Sequence, residues 1–230
     1  MRSSLSFVLA PELRAKLVSG ERLEEARGAG RQRRRTGIPA LDDLFGGGWP
    51  RAALCEISGR RSSGRTSILL ASLAEATAAG EATALVDTGG ALDPRAATAV
   101  GLTLPALLWI RCAPAQAFKA ADLVVAAGGF GMVGLDLCDA RLRTPDASWM
   151  RLAHQARNQG TTVLVASTTR AAGTNATAAL ELGDVAPSFL HDGPPLLAEI
   201  RVRATRVRDR RAPSPGENIQ CVSLAFTSRS

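Results

Sequence analysis

The chain has no tyrosine, and its only lysines are Lys16 and Lys119, yet its formal net charge is +7. The positive charge is therefore almost wholly arginine, which offers a planar fork of donors where lysine offers a point charge. Histidine is limited to His154 and His191. The four cysteines, Cys55, Cys112, Cys138 and Cys221, stand far apart with no C-x-x-C pair. Neither a zinc site nor a disulfide framework is spelled out, and each cysteine reads as a small apolar filler. No apolar run reaches the roughly 18 residues that a membrane span needs. The opening MRSSLSFVLAPELRAK has too short an apolar patch for a secretory leader and no small-residue cleavage site. Membrane, secreted and zinc-module classes are thus set aside, and the cytoplasm is the expected location. Aromatics are only 4% of the chain, and none is interleaved with the basic run RQRRR. A base-stacking platform for single strands is therefore not expected.

What is present suits one domain with a full core: 230 residues, 46% of them hydrophobic. Residues 1–35 read as a helical arm, with PELRAKLVSGERLEEARGAG as one charged helix or two pieces broken at Gly20, followed by RQRRR as a basic linker. Residues 36–230 read as a single core domain. In it the apolar runs ALCEIS, ATALVD, LLWIRC, GMVGLD and TTVLVAS alternate with helical stretches. The helices are expected over 64–79, DPRAATAVG, PAQAFKAADLVVAAG and DASWMRLAHQARNQG. That alternation predicts an α/β fold, a mostly parallel sheet flanked by helices. From Ala178 onward, ALELGDV, LLAEIRVRATRVR and IQCVSLAF are joined by turns and predict antiparallel C-terminal edge strands.

Between ALCEIS and the helix after it lies Gly59-Arg-Arg-Ser-Ser-Gly-Arg-Thr66, the frame of a phosphate-binding loop, G-x-x-x-x-G-K-[ST], with Arg65 in the lysine position. The glycines let backbone N–H groups gather into a nest, and the helix N-terminus adds partial positive charge. Asp136 ends an apolar strand, where such folds place the acid that holds magnesium through water.

Longer stretches carry a sharper likeness. TGIPALDDLFGGGWPRAALCEISGRRSSGRTSILL, ALVDTGGALDPRAATAVGL, GMVGLDLCDARL, TTVLVASTTR and EIRVRATRVRDRRAPSPGENIQCVSLAF resemble successive segments of the RecA recombinases over roughly residues 36–226. The resemblance implies a RecA-like P-loop core. It marks Gly59, Ser63, Gly64, Arg65, Thr66, Asp93 and Asp136 as the nucleotide-facing positions. The departures fall on the chemistry. Arg65 replaces the lysine, Gly89 the glutamate that activates water, Ala96 the adenine-stacking tyrosine, and Thr168 the glutamine that couples ATP to DNA. A guanidinium is too wide for the ammonium's seat, and glycine has no base. No catalytic residue and no dedicated metal site are expected, and the implied cofactor is at most weakly held ATP with magnesium. The segments CDARLRTPDASWM and RAAGTNATAAL leave little room for the family's mobile DNA loops, and no counterpart of its C-terminal domain is expected after Phe226.

GGGWPRAALCEI and VGLTLPALLWIRC are similar to the ImuA proteins, RecA-like members of the bacterial translesion-synthesis mutasome. That resemblance implies a non-catalytic adaptor in DNA-damage (SOS) mutagenesis, located in the cytoplasm on the nucleoid. Its implied partners are an ImuB-like Y-family polymerase homologue, RecA and, indirectly, an error-prone replicative-type polymerase. Two other readings stand beside it: a weak ATPase or recombinase with Arg65 substituting for lysine, and a SulA-like regulator of cell division.

Two groups of residues are candidate contacts. Arg201, Arg203, Arg206, Arg208 and Arg210 lie along a predicted edge strand. If the strand is unbroken, Arg201 and Arg203 share one face and Arg206, Arg208 and Arg210 the other. Such a stripe would hold single- or double-stranded DNA without sequence preference, or guard the edge against pairing. In the arm, Leu13, Leu17 and Leu23 are the apolar positions available to a partner, with Leu13 and Leu17 one turn apart.

Overall fold

A computed structural model describes residues 33–139, 144–189, 197–211 and 219–225. The helical arm, with Leu13, Leu17 and Leu23, lies outside the described residues. In chain order the elements are β1 (Arg33–Arg34), α1 (Pro39–Leu44), β2 (Trp49–Pro50), β3 (Leu54–Gly59), α2 (Arg65–Ala78), β4 (Thr83–Asp87), α3 (Pro94–Ala99) and β5 (Leu107–Arg111). They continue as α4 (Pro114–Ala127), β6 (Met132–Asp136), α5 (Asp146–Asn158), β7 (Thr162–Ser167), β8 (Ala178–Phe189), β9 (Leu197–Asp209) and β10 (Ile219–Ala225).

Strands β3 to β10 form one sheet in the order β10-β9-β8-β3-β7-β6-β4-β5. The six strands from β8 to β5 are mutually parallel. β9 and β10 run antiparallel at the edge. The α/β expectation therefore holds, with one adjustment. The antiparallel part begins at β9, because β8 pairs in parallel with β3. Every residue of β3, β4, β6 and β7 is buried, as parallel strands covered on both faces must be. One face packs under α1 and α2 through Leu41, Phe45, Trp49, Leu69 and Leu73. The other packs under α4 and α5 through Val125, Phe130, Trp149 and Leu152. Trp149 meets Phe118 edge-on at 5.0 Å between ring centroids, and Trp49 Nε1 donates to Ser72 Oγ at 3.0 Å, so the indole's polar edge is satisfied inside the core.

The basic linker is corrected at its end. Arg33 and Arg34 form β1 against Trp49–Pro50, and Arg34 is only 4% exposed. Its guanidinium pairs with Glu81 and donates to the Gly131 carbonyl, while Arg33 pairs with Asp209 at 2.8 Å. A charge run is ordinarily a solvated segment. Here the half-buried Glu81 and the enclosed Asp209 side chain, further along the chain, draw it inside. The close approach depends on Gly48. Its φ of 102° suits glycine, and a Cβ there would strike the Arg34 carbonyl.

Candidate functional site: a phosphate-binding loop closed by arginine

β3 delivers Gly59 to the loop, and α2 leaves it. Between them Ser62 and Gly64 take left-handed conformations (φ 60° and 89°), and Ser63 N donates to the Arg60 carbonyl at 3.2 Å. Gly64 is the N-cap of α2 and supplies no side-chain acceptor, so the helix start keeps N–H groups without a side-chain partner. The loop is tightly walled from below. A Cβ on Gly59 would meet Ser63 Oγ at 2.6 Å, and a Cβ on Gly64 would collide with Leu224 of β10.

At the mouth, Thr66 Oγ1 donates to Asp136 Oδ2 at 2.9 Å. A hydroxyl beside a carboxylate at a helix start is a donor set that suits magnesium, so these two residues fit the metal half of a nucleotide complex. Arg65 does not fit the other half. Its side chain crosses to the end of β6, where Nη1 donates to the Cys138 carbonyl at 2.9 Å and Nη2 lies 3.4 Å from Asp139 Oδ1. Arg61 adds a second guanidinium to Asp139 at 3.6 Å. Arg65 is 8% exposed, so its charge is spent inside the protein.

The opposite wall is closely packed. Gly89 lies against Cys138, and a Cβ there would collide with Cys138 Sγ. Burial, and after it the Asp136 carboxylate, pushes the Cys138 thiol up to about 11, so it stays protonated at neutral pH. Asp87, also in this wall, accepts from Gly89 N, Ala91 N, Leu92 N and Trp109 Nε1. Four donors on one carboxylate make it the organiser of the turn after β4. Asp93 caps α3 by accepting from Arg95 N at 2.9 Å, a bond within its own turn. The structure thus gathers Gly59, Ser63, Gly64, Arg65, Thr66 and Asp136 at one mouth. It adds Asp139, Cys138 and Asp87, which sequence reasoning missed. The only available signal was the acidic residue three positions beyond Asp136 in DLCD.

The arginine stripe of β9 is corrected. The pairing with β8 slips between Ala179 and Leu180, so Leu180 faces Arg206 while Ala179 faces Arg208. Val207 is the extra residue of this bulge, which sends Arg206 and Arg208 to opposite faces of the sheet. Arg206 Nη1 donates to the Leu44 carbonyl at 3.0 Å, on the α1 side. Arg208 Nη1 donates to the Gly173 carbonyl at 2.9 Å, and Arg210 donates to the Thr174 carbonyl. Arg201 and Arg203 are exposed, Arg203 paired with Asp184. No single face carries all of Arg206, Arg208 and Arg210.

Comparison with known proteins agrees with this geometry. The chain is 40% identical over 103 residues to Protein RecA of Clavibacter michiganensis, covering 44% of this chain and 28% of that protein. It is 40% identical to Protein RecA of Nocardia farcinica and 36% to that of Latilactobacillus sakei, covering 44% of this chain and 30% and 29% of those proteins. The matched stretch thus spans under a third of these relatives. No helix among the described residues is long and apolar enough to cross a membrane. The model of the RecA N-terminal domain matches residues 22–157, more than half of the sequence. The chain belongs to the RecA N-terminal domain family.

Proposed function

We propose that the protein is a non-catalytic RecA-like adaptor of the ImuA type. It serves DNA-damage (SOS) mutagenesis by binding an ImuB-like Y-family polymerase homologue and RecA, and through them an error-prone replicative-type polymerase. The observation that carries this reading is the engagement of Arg65 by Cys138 and Asp139. A P-loop cation committed to its own protein is not free to follow charge onto a transferring phosphoryl group. Bound ATP would supply that group, and Thr66 and Asp136 are the residues that would hold its magnesium. Gly89 offers no side chain to take the proton of an attacking water, and Cys138 fills the space beside it.

The expected result is negligible ATP turnover with or without single-stranded DNA, measured as phosphate release. Steady turnover abolished by Asp136→Ala would overturn the non-catalytic reading. Partner choice is tested separately, by co-purification with an ImuB-like protein and with RecA. Absence of both complexes would leave the adaptor role without support.

The intact Thr66–Asp136 pair favours a second reading, residual nucleotide binding without hydrolysis. Asp139 competes there with phosphate for Arg65 and Arg61. Asp139→Ala should therefore tighten binding of ATP or inorganic triphosphate by roughly five- to tenfold, a modest gain because the carboxylate is half exposed. Calorimetry reads this directly. Unchanged affinity would show that the pair does not restrain the loop.

A further inference from the structure

At the end of the sheet opposite the loop, where the parallel strands begin, arginines from separate parts of the chain converge. Arg33 reaches Asp209 at the end of β9, and Arg34 and Arg51 share Glu81 ahead of β4. Arg211 donates to the carbonyls of Arg51 and Ala52, just before β3. Arg210 N donates to the Thr177 carbonyl ahead of β8. Arg157 ends α5 close by. Burial lowers the Arg211 pKa, and the like charges of Arg157 and Arg33 lower it further. Among the described residues, six guanidinium groups thus meet two carboxylates bonded to them, Glu81 and Asp209, a local positive surplus in a chain of net charge +7. Arg157 and Arg210 are exposed on this rim, and Arg33, Arg51 and Arg211 are half-buried.

The half-buried guanidinium groups stay committed to their carbonyls and carboxylates and act as fixed positive charge, while the exposed Arg157 and Arg210 are the ones placed to reach an anion. Low-dielectric surroundings also focus uncompensated charge at the surface. From β9 to β4 the sheet takes five strand intervals, about 24 Å at the usual spacing. That length matches roughly seven base pairs of a duplex lying along the rim. The one exposed large aromatic among the described residues, Phe189, lies at the far end of β8, so the described part of the rim presents no exposed aromatic on which unpaired bases would stack.

We propose that this arginine rim is a sequence-indifferent binding site for the phosphate backbone of duplex DNA, on the end of the molecule opposite the nucleotide loop. The contacts are charge-assisted forks onto phosphate oxygens, which set position and carry no base readout. The proposal does not depend on the adaptor reading, since it concerns a different surface and a different ligand.

The test is fluorescence anisotropy of the full chain with a short duplex of arbitrary sequence across a salt series. Arg157→Glu with Arg210→Glu should weaken binding about tenfold or more and lower the slope of log affinity against log salt by about two, one for each lost phosphate contact. Arg95→Glu with Lys119→Glu, exposed at the loop end of the sheet, should leave both nearly unchanged. Three results would overturn the proposal: an unaltered slope in the rim variant, equal losses in the two variants, or tighter binding of a single strand of the same length. So would capture of polyglutamate with no measurable duplex binding, which would assign the rim to an acidic protein.

Discussion

A chain beginning at Thr36 should be less stable than one beginning at Arg33 by about 3–5 kcal/mol, the usual cost of leaving a buried charge without its partner. The truncation removes both arginines of β1. The Asp209 side chain, 1% exposed, then loses Arg33, and Glu81 keeps only Arg51. The β1–β2 ladder goes too, and with it the hydrogen bond from Arg33 to the Gly48 carbonyl. Urea denaturation followed by circular dichroism measures the difference as a shift of midpoint. Coincident midpoints would mean that these arginines add nothing to the core. The result also governs how the arm is tested. Binding studies with a chain cut at Thr36 would confuse loss of a contact with loss of the fold, whereas a cut before Arg33 separates them.

Glu56→Ala should cost a similar amount, about 3–5 kcal/mol. Glu56 lies within β3 with no exposed surface. Its Oε1 accepts from Arg170 Nε and its Oε2 from Ala172 N, both at 2.9 Å. The carboxylate thereby ties the central strand to the segment that leads from β7 back to β8. Alanine removes both bonds and leaves the buried Ala172 amide and the Arg170 Nε unsatisfied, while Arg170 Nη2 keeps the Gly173 carbonyl. Glu56→Gln keeps the shape and one acceptor, so its loss should be about half as large. Stability within about 1 kcal/mol of wild type for the alanine variant would show that water or a rearranged Arg170 satisfies the site.

Much of this architecture was legible because the dominant signal was local. Leu54–Gly59, Thr83–Asp87, Met132–Asp136 and Thr162–Ser167 are apolar runs bounded by turns, and the observed strands fall within a residue of the expected ones. The P-loop frame was equally local, since its glycines and the helix behind it are contiguous. Long-range pairings were hidden. Nothing in RQRRR announces Glu81 or Asp209, which lie 47 and 176 residues away from their arginines. The β9 bulge was hidden for a different reason. Arg201 to Arg210 alternate well enough on paper, and only the register against β8 reveals that Val207 interrupts them. The partners of Arg65 were hidden in the same way. Its position predicts a phosphate contact, while its partners, Cys138 and Asp139, depend on how the end of β6 turns.

Arginine richness is commonly a mark of genomic base composition, and on that view lysine could replace it with charge conserved. The rim argues otherwise at particular sites. Arg211 reaches the successive carbonyls of Arg51 and Ala52 with two different nitrogens, and Arg65, at the other end of the sheet, likewise divides two nitrogens between the Cys138 carbonyl and Asp139. A lysine brings one nitrogen on a flexible stem to the same place. At these positions the genetic code's easy exchange between the two basic residues is therefore closed by geometry, and a tally of net charge would score as silent a change that unfastens the base of the sheet.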